Sequence, residues 1–168
     1  MKESLLNKDR MIQYGRDRGI DAFIATSPEN VTYSSGYWAL SQWIRRGPQA
    51  FVLLPVLELE ASRIIAPTSL LDQLADQDDV WIPNVTRFGY FHMNVAEGQA
   101  SALDARQQDL YALPDSKSAL SALLESIRLA GLDRAVLAVD EFGLLPGQWE
   151  YLVRELPSAS LVQATELF

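Results

Sequence analysis

The sequence predicts a single α/β layered domain over residues 1–168, with about six strands in a mostly parallel or mixed sheet and about four flanking helices. Three observations support this prediction. Several short apolar runs show no alternation with polar residues, which is typical of strands covered on both faces. Amphipathic segments separate these runs, and capping residues or glycines bound most of them. The 168 residues, 48% hydrophobic and 21% charged, are enough for one domain with a sizeable core.

The first elements are predicted to be a helix and a buried strand. Residues 4–18 place Leu5, Ile12 and Gly15 on one helical face, so this helix should pack on a sheet. Residues 22–26 are apolar at both the even and the odd positions, which predicts a strand covered on both faces.

The stretch S-P-E-N-V-T-Y-S-S-G-Y, residues 27–37, combines several independent signals. Ser27 suits an N-cap, Pro28 lies where its missing N–H costs nothing, and Glu29 places a negative charge in the first turn. Gly36 should then end this short helix. A strand that leads into a capped helix, followed by aromatic and cationic residues, is typical of a binding position at a strand end.

The middle of the chain is predicted to contain strands at 50–54, 63–66 and 80–82, with a short capped helix over 68–75. Between residues 83 and 114 the periodicity is lost. A segment of this length predicts a functional loop or a hairpin.

The last third alternates helices and strands. The most regular helix should open at Asp115, and a second should open at Pro146. Strands are predicted at 135–139 and 161–164. The buried helical faces should comprise Leu120, Leu123, Leu124 and Ile127 in the first helix, and Trp149, Leu152, Val153 and Leu156 in the second.

Charge and cysteine content exclude several classes of protein. A net charge of −8 and a pI near 4.6 argue against binding to nucleic acid or to an anionic membrane surface. No cysteine is present, so disulfides and thiol chemistry are excluded. The charged N-terminus lacks the apolar core of a signal peptide, and no apolar run reaches the roughly 18 residues of a membrane helix. We therefore expect a cytoplasmic protein.

The segment S-P-E-N-V-T-Y followed by G-Y, after a buried strand and a helix that ends in G-I-D, resembles the N-terminal domain of the creatinase, prolidase and Xaa-Pro aminopeptidase family. The distinctive part covers residues 10–37, while the order of elements agrees over nearly the whole chain. The resemblance implies a creatinase/prolidase N-terminal domain-like fold. It also implies that the chain is part of a longer hydrolase, whose C-terminal catalytic domain follows.

In that family the catalytic "pita-bread" domain of peptidases holds two metal ions, manganese or zinc, with two aspartates, one histidine and two glutamates. We expect no cofactor and no catalytic residue in this chain, since its only histidine is His92 and no metal-site spacing occurs. The resemblance implies a parent enzyme that is an Xaa-Pro aminopeptidase, a dipeptidase or creatinase-like. Its substrate would be a small peptide or an amidino or amino-acid compound.

The candidate substrate contacts are Trp43, Arg45, Arg46 and His92. Arginine offers a planar fork suited to a carboxylate, and tryptophan offers a face for an aliphatic or cationic group. In creatinase-like relatives an aromatic-x-Arg segment after the glycine-aromatic pair takes part in the substrate site, and Trp43-x-Arg45 resembles it. The alternative is that both arginines are solvated, Trp43 is merely packed and His92 is structural.

A second group of aromatic residues suits a core or an interface between subunits. We expect a homodimer, and the candidate interface residues are Tyr37, Trp38, Phe88, Tyr90 and Phe91. The Asp140-Glu141 pair at a strand end suits acid–base chemistry, or alternatively the capping of the next turn or a position facing water.

Two hypotheses of function follow. In the first, the chain is the non-catalytic N-terminal domain of a creatinase- or Xaa-Pro peptidase-like hydrolase, which serves oligomer assembly and lines a neighbour's active site. In the second, it is a self-standing α/β module that binds a small molecule at the same strand ends.

Overall fold

The computed structural model describes residues 4–44, 48–92 and 101–168. In this part of the chain the helices are α1 (Lys8–Arg18), α2 (Pro28–Ser35), α3 (Leu40–Trp43), α4 (Leu71–Asp76), α5 (Ala102–Tyr111), α6 (Ala119–Leu129) and α7 (Gln148–Glu155). The strands are β1 (Ala22–Ala25), β2 (Phe51–Pro55), β3 (Arg63–Pro67), β4 (Asn84–Phe88), β5 (Asp115–Ser116), β6 (Val136–Val139) and β7 (Ser160–Gln163).

The strands form one mixed sheet in the order β5-β4-β3-β2-β1-β6-β7. Only β2 runs antiparallel to its neighbours, and every other pair is parallel. The carboxyl ends of the six parallel strands therefore meet at one edge of the sheet. We call this the strand-exit edge; it includes Thr26 after β1, Asp140 after β6, Ala164 after β7 and Ala50 before β2.

Helices cover both faces of the sheet. Phe23 and Ala25 of β1 belong to a core shared with Met11 of α1, whereas Ala22 and Ile24 belong to a core shared with α6 and α7. All four residues of β1 are buried, because each face of this central strand meets a layer of helices. The predicted α/β class with a mostly parallel or mixed sheet is confirmed, with seven strands in the described residues where about six were expected.

The prediction of a strand at residues 80–82 is wrong. Val80 and Ile82 are buried in the core, but the Trp81 backbone N–H donates to the Ser35 carbonyl oxygen at 3.2 Å instead of to a strand. Pairing with β3 begins only after Pro83, at Asn84. The apolar residues of 80–82 thus report burial, and burial alone does not distinguish a strand from a packed loop.

The segment 83–114, predicted as a loop or hairpin, contains β4 and α5, and residues 93–100 lie outside the described residues. The signal for α5 is weak because none of its residues is buried. Ser101 and Asp104 nevertheless form a complete capping box at its start.

The start of the most regular helix is later than predicted. Asp115 belongs to β5 and pairs with Arg87 of β4, and α6 begins at Ala119 after the N-cap Ser118.

The predicted buried faces of two other helices also need correction. Leu152 of α7 is buried, but Val153 is 47% exposed. In the first helix, Leu5 is exposed and precedes α1, which starts at Lys8.

Candidate functional site at the strand-exit edge

The turn from β1 into α2 adopts the capped geometry that its sequence predicts. Ser27 has an extended backbone, and its hydroxyl oxygen accepts a hydrogen bond from the Asn30 backbone N–H at 3.4 Å. Pro28 occupies the first helical turn, and Gly36 ends α2 with a positive φ of 78°. A side chain at Gly36 would overlap the Asp79 backbone, so this turn requires glycine for space as well as for φ.

The turn is held by the carboxylate of Asp140, which is fully buried after β6. Its Oδ2 atom accepts from the backbone N–H groups of Thr26 at 3.2 Å and of Ser27 at 2.8 Å. The Ser27 hydroxyl at 2.6 Å and the Asn30 side-chain amide at 2.9 Å donate to the same oxygen. The other oxygen, Oδ1, accepts from the Thr165 hydroxyl at 2.9 Å. The carboxylate thus joins β1, α2, β6 and the segment after β7.

These contacts keep Asp140 charged. Burial by itself would raise the pKa of this carboxyl, but hydrogen bonds from Ser27, Asn30 and Thr165 offset burial and hold the pKa below its ordinary value. Asp140 neither faces water nor caps the turn after β6 with its side chain; its carboxylate instead holds the turn after β1. The lowered pKa also argues against acid–base chemistry, which needs a carboxyl whose pKa lies near the working pH.

Glu141 holds the segment that leaves β7. Its Oε2 atom accepts from the backbone N–H groups of Ala164 at 3.0 Å and Thr165 at 3.1 Å. The Thr165 hydroxyl oxygen in turn accepts from the Phe142 backbone N–H at 3.1 Å. Desolvation would raise the pKa of Glu141, but hydrogen bonds, including those from Thr165 and Ala164, lower it overall. Two adjacent carboxylates therefore both act as acceptors for neighbouring strands.

Gln42 links α3 to the same edge. Its side-chain amide is buried and donates to the carbonyl oxygens of Thr26 and of Ala50, the latter at 3.2 Å. The next residue, Trp43, is 38% exposed, and its indole N–H donates to the Thr32 hydroxyl at 3.2 Å. The indole is thus attached to α2 while part of its ring faces solvent.

A cavity of about 280 Å³ opens beside these groups. Pro28 and Gln42 line it on one side, and Phe142 and Leu145 on the other. Phe142 is 67% exposed and Leu145 57% exposed, so the rim of the cavity is apolar. An apolar rim with a few amide and hydroxyl groups inside suits a small molecule or a protruding side chain.

The structure separates the predicted substrate contacts. Trp43 follows Gln42, which lines the cavity, but its own indole bonds to Thr32 on α2 and does not line the cavity. Arg45 and Arg46 lie outside the described residues. His92 is exposed and follows β4, three strands away from β1 in the sheet. The substrate roles of all four residues stay predictions.

Burial divides the candidate interface residues. Tyr37 and Phe88 are buried inside the domain, so they are core residues and cannot face a partner. Burial raises the pKa of the Tyr37 phenol, and the nearby charge of Asp72 raises it further. Trp38, Tyr90 and Phe91 are exposed by 48%, 84% and 50%. These three remain available to a partner.

Sequence reasoning missed the partners of Asp140. Ser27 and Asn30 were visible as polar residues after a buried strand, but nothing near Thr165 in the sequence pointed to Asp140. Thr165 lies 25 residues from Asp140 in the chain, and Ser27 and Asn30 lie 113 and 110 residues away. Only the parallel pairing of β1, β6 and β7 brings these side chains together.

Within the described ranges, no group of three or more His, Cys, Asp or Glu side chains could hold a metal ion. The described residues therefore do not fit the two-metal set of the peptidases. None of the helices in these same ranges combines the length and apolar character needed to span a bilayer.

Comparison with known proteins identifies the domain. The family model for the Creatinase/Prolidase N-terminal domain matches residues 8–168. No curated protein matches the chain in sequence. Among solved structures, a dipeptidase from Pyrococcus horikoshii OT3 is 12% identical with a TM-score of 0.60, covering 96% of this chain and 35% of that one.

Two further structures agree over almost their entire length. A proline dipeptidase from Streptococcus pneumoniae TIGR4 is 13% identical with a TM-score of 0.62, covering 98% of this chain and 94% of that one. The N-terminal, creatinase/prolidase-like domain of a metallopeptidase from Corynebacterium diphtheriae, described as putative, is 16% identical with a TM-score of 0.56, covering 95% and 94%. At these identities the structures establish the shared fold.

The present chain spans about a third of the length of the Pyrococcus dipeptidase. Its fold and the family match agree over nearly all of its residues. The chain belongs to the Creatinase/Prolidase N-terminal domain family.

Proposed function

We propose that this chain is the non-catalytic N-terminal domain of a creatinase- or Xaa-Pro peptidase-like hydrolase, and that it lines the substrate site of a catalytic domain. The observation that carries the proposal is Trp43, a partly exposed indole attached by a hydrogen bond to α2. The residue before it, Gln42, lines the apolar-rimmed cavity. The indole face would contact an apolar part of the substrate. Arg45, two residues on, would supply a bidentate contact to a substrate carboxylate. The same domain would serve subunit assembly in a homodimer.

The proposal assigns the chemistry to another part of a longer parent protein. A catalytic domain following residue 168 would hold two divalent metals, manganese or zinc, as in the peptidases that this chain resembles. The proposed substrate is a small peptide or an amidino or amino-acid compound, and the proposed location is the cytoplasm.

The direct test is a kinetic comparison of the parent protein with its Arg45→Ala variant. We expect kcat/KM to fall by an amount equivalent to about 1.5–3 kcal/mol, as for a charged hydrogen bond, with the fold intact. Arg45→Lys should recover only part of the loss, because an ammonium cannot reproduce the planar fork. Unchanged kinetics for both Arg45→Ala and Trp43→Ala would contradict the site.

A mixing experiment tests whether the site is completed across a dimer. Two versions of the parent protein are mixed so that they exchange subunits: one carries Arg45→Ala, and the other is inactivated in its catalytic domain. In a heterodimer, one active site can then combine an intact catalytic domain with an intact N-terminal domain from the neighbouring subunit. Recovered activity supports action on the neighbouring subunit. No recovery after verified subunit exchange would assign the contact to the same subunit.

The isolated 168-residue chain is expected to hydrolyse neither X-Pro dipeptides nor creatine, with or without added manganese or zinc. The measurement is product release after repurification, and the matched control is His92→Ala, which alters the only histidine. Turnover that survives repurification and disappears in His92→Ala would contradict the non-catalytic role.

The cavity favours a second candidate, a self-standing module that binds a small molecule at the strand-exit edge. Its volume of about 280 Å³ approaches that of a small-ligand site. The coding frame after Phe168 discriminates: a continuing frame with spaced Asp, Asp, His, Glu and Glu residues supports the hydrolase, and a stop codon supports the module.

A further inference from the structure

We propose that Asp140 is a positioning residue, which sets the placement of Trp43 relative to the segment that leaves β7. The use of Trp43 by a substrate rests on the proposed function, but the positioning itself does not. Three steps connect these groups: from Asp140 to the turn, from the turn to Trp43, and from Asp140 to Thr165.

The first step is the attachment of the β1–α2 turn. Four donors reach Oδ2 of Asp140: the N–H groups of Thr26 and Ser27, the Ser27 hydroxyl and the Asn30 amide. The Thr26 hydroxyl also donates to the Asp140 backbone carbonyl oxygen. Both the last residue before α2 and a residue in its first turn are therefore held by one side chain. The position of α2 against β6 follows from this carboxylate.

The second step leads from the turn to Trp43 by two routes. In the first route, the Thr26 carbonyl oxygen accepts a hydrogen bond from the side-chain amide of Gln42, and the backbone leads from Gln42 directly to Trp43. Along the side-chain route, the Trp43 indole N–H donates to the Thr32 hydroxyl on α2. Since α3 has only four residues, these hydrogen bonds orient it more than its own helical structure does. Movement of the turn must then move the indole.

The third step joins the same carboxylate to the segment after β7. Thr165 donates its hydroxyl to Oδ1 of Asp140, and its carbonyl oxygen accepts from the Asn30 amide at 3.5 Å. Glu141 holds the backbone N–H groups of Ala164 and Thr165. Whatever follows this segment in a longer protein is thereby oriented with respect to Trp43. A single buried acceptor connects the two.

The test follows the Trp43 indole N–H signal in ¹H–¹⁵N spectra of the 168-residue chain, with the signal assigned by Trp43→Phe. We expect Asp140→Ala to shift or broaden this signal, because the turn loses its acceptor. Asp140→Asn should move it less, since an amide oxygen can still accept at the Oδ2 position while the Thr165 hydroxyl accepts from the amide nitrogen. Thr165→Val removes the donor to Oδ1 but none of the turn's donors to Oδ2, so it should disturb the carboxylate less and shift the signal by a smaller amount.

The matched control is Leu123→Ala, a fully buried residue of α6 in the other core layer. It destabilises the fold without touching the network, so it should leave the Trp43 signal in place. The proposal fails if Leu123→Ala moves the signal as much as Asp140→Ala does. It fails equally if neither Asp140→Asn nor Thr165→Val moves the signal. These two milder variants allow the test to be made even if Asp140→Ala does not fold.

The positioning and the proposed function can fail separately. A Trp43 signal that responds to Asp140 and Thr165, combined with unchanged kinetics of Trp43→Ala in the parent protein, keeps the positioning and removes the substrate role. A Trp43 signal that does not respond to these variants, combined with impaired kinetics of Trp43→Ala, removes the positioning role of Asp140 and keeps the substrate role of Trp43.

Discussion

The strand-exit edge is organised differently at its two ends. Where β1, β6 and β7 end, buried polar side chains form a continuous hydrogen-bonded network around Asp140. Where β4 ends, the chain instead presents Tyr90 and Phe91, which are 84% and 50% exposed. Both ends follow parallel strands of the same sheet, so their strand geometry is alike.

The difference shows that the residues at a strand end can either hold neighbouring segments rigidly in place or present side chains to a partner. Donors that converge on a buried carboxylate must all be satisfied, so the β1–β6–β7 end tolerates little change. Exposed aromatic rings carry no such requirement and are available for a partner. We therefore expect substitutions at the first end to alter stability, and substitutions at the second to alter association.

The largest loss of stability is expected for Asp140→Ala. It leaves the donors of Thr26, Ser27 and Asn30 buried without an acceptor, which should lower the free energy of unfolding by about 3–5 kcal/mol. Asp140→Asn should cost clearly less. Urea denaturation of both variants is the measurement, and equal losses for the two would mean that the charge, not the acceptor geometry, dominates.

A smaller loss is expected for Gly143→Ala. A methyl group at this position would overlap backbone atoms of Thr26 and Ser27, which cannot move without breaking the network. The strain should cost about 1–3 kcal/mol in urea denaturation. The control is Gly131→Ala, where no atom lies near the added methyl and only the positive φ of 68° is unfavourable. A larger loss in the control would contradict tight packing around the turn.

The network should also make stability fall in acid. The folded-state pKa values of Asp140 and Glu141 lie below their ordinary values of 3.8 and 4.5. Their contribution is therefore complete above those ordinary values and is lost as the pH falls through the lower folded-state values. Unfolding free energies measured from about pH 6 to about pH 3 should fall less steeply in Asp140→Asn.

The smallest effect on stability is expected for the double variant Tyr90→Ser and Phe91→Ser, within about 0.5 kcal/mol, because both side chains are exposed. If this end contributes to a homodimer, sedimentation should show weaker self-association than for the wild-type chain. Leu129→Ser, at a 73% exposed leucine, is the control and should leave association unchanged. A purely monomeric wild-type chain at high concentration would argue against an autonomous interface.

Local patterns predicted most of the fold. Strands β1, β2, β3, β6 and β7 were predicted to within about two residues, because each contains a short apolar run bounded by turn residues. Burial on both faces holds for β1 and β2 but not for the edge strand β7, none of whose residues is buried. The cap of α2 was predicted from Ser27 and Pro28 alone. The errors fall where burial and local structure diverge: residues 80–82 are buried without pairing, and α5 forms a helix without burying a face.

The α/β class, the capped turn after β1 and the aromatic residues near that turn could all be predicted from the sequence, since each depends on neighbours within a few positions. It also carried the family resemblance. The folded chain was needed to show that Tyr37 is core while Trp43 is partly exposed, and that Asp140 bonds to Ser27, Asn30 and Thr165. Hydrogen bonds between strand ends depend on the order and direction of the strands in the sheet. Partners 25 to 113 positions apart in the chain leave no local pattern that reveals this strand order.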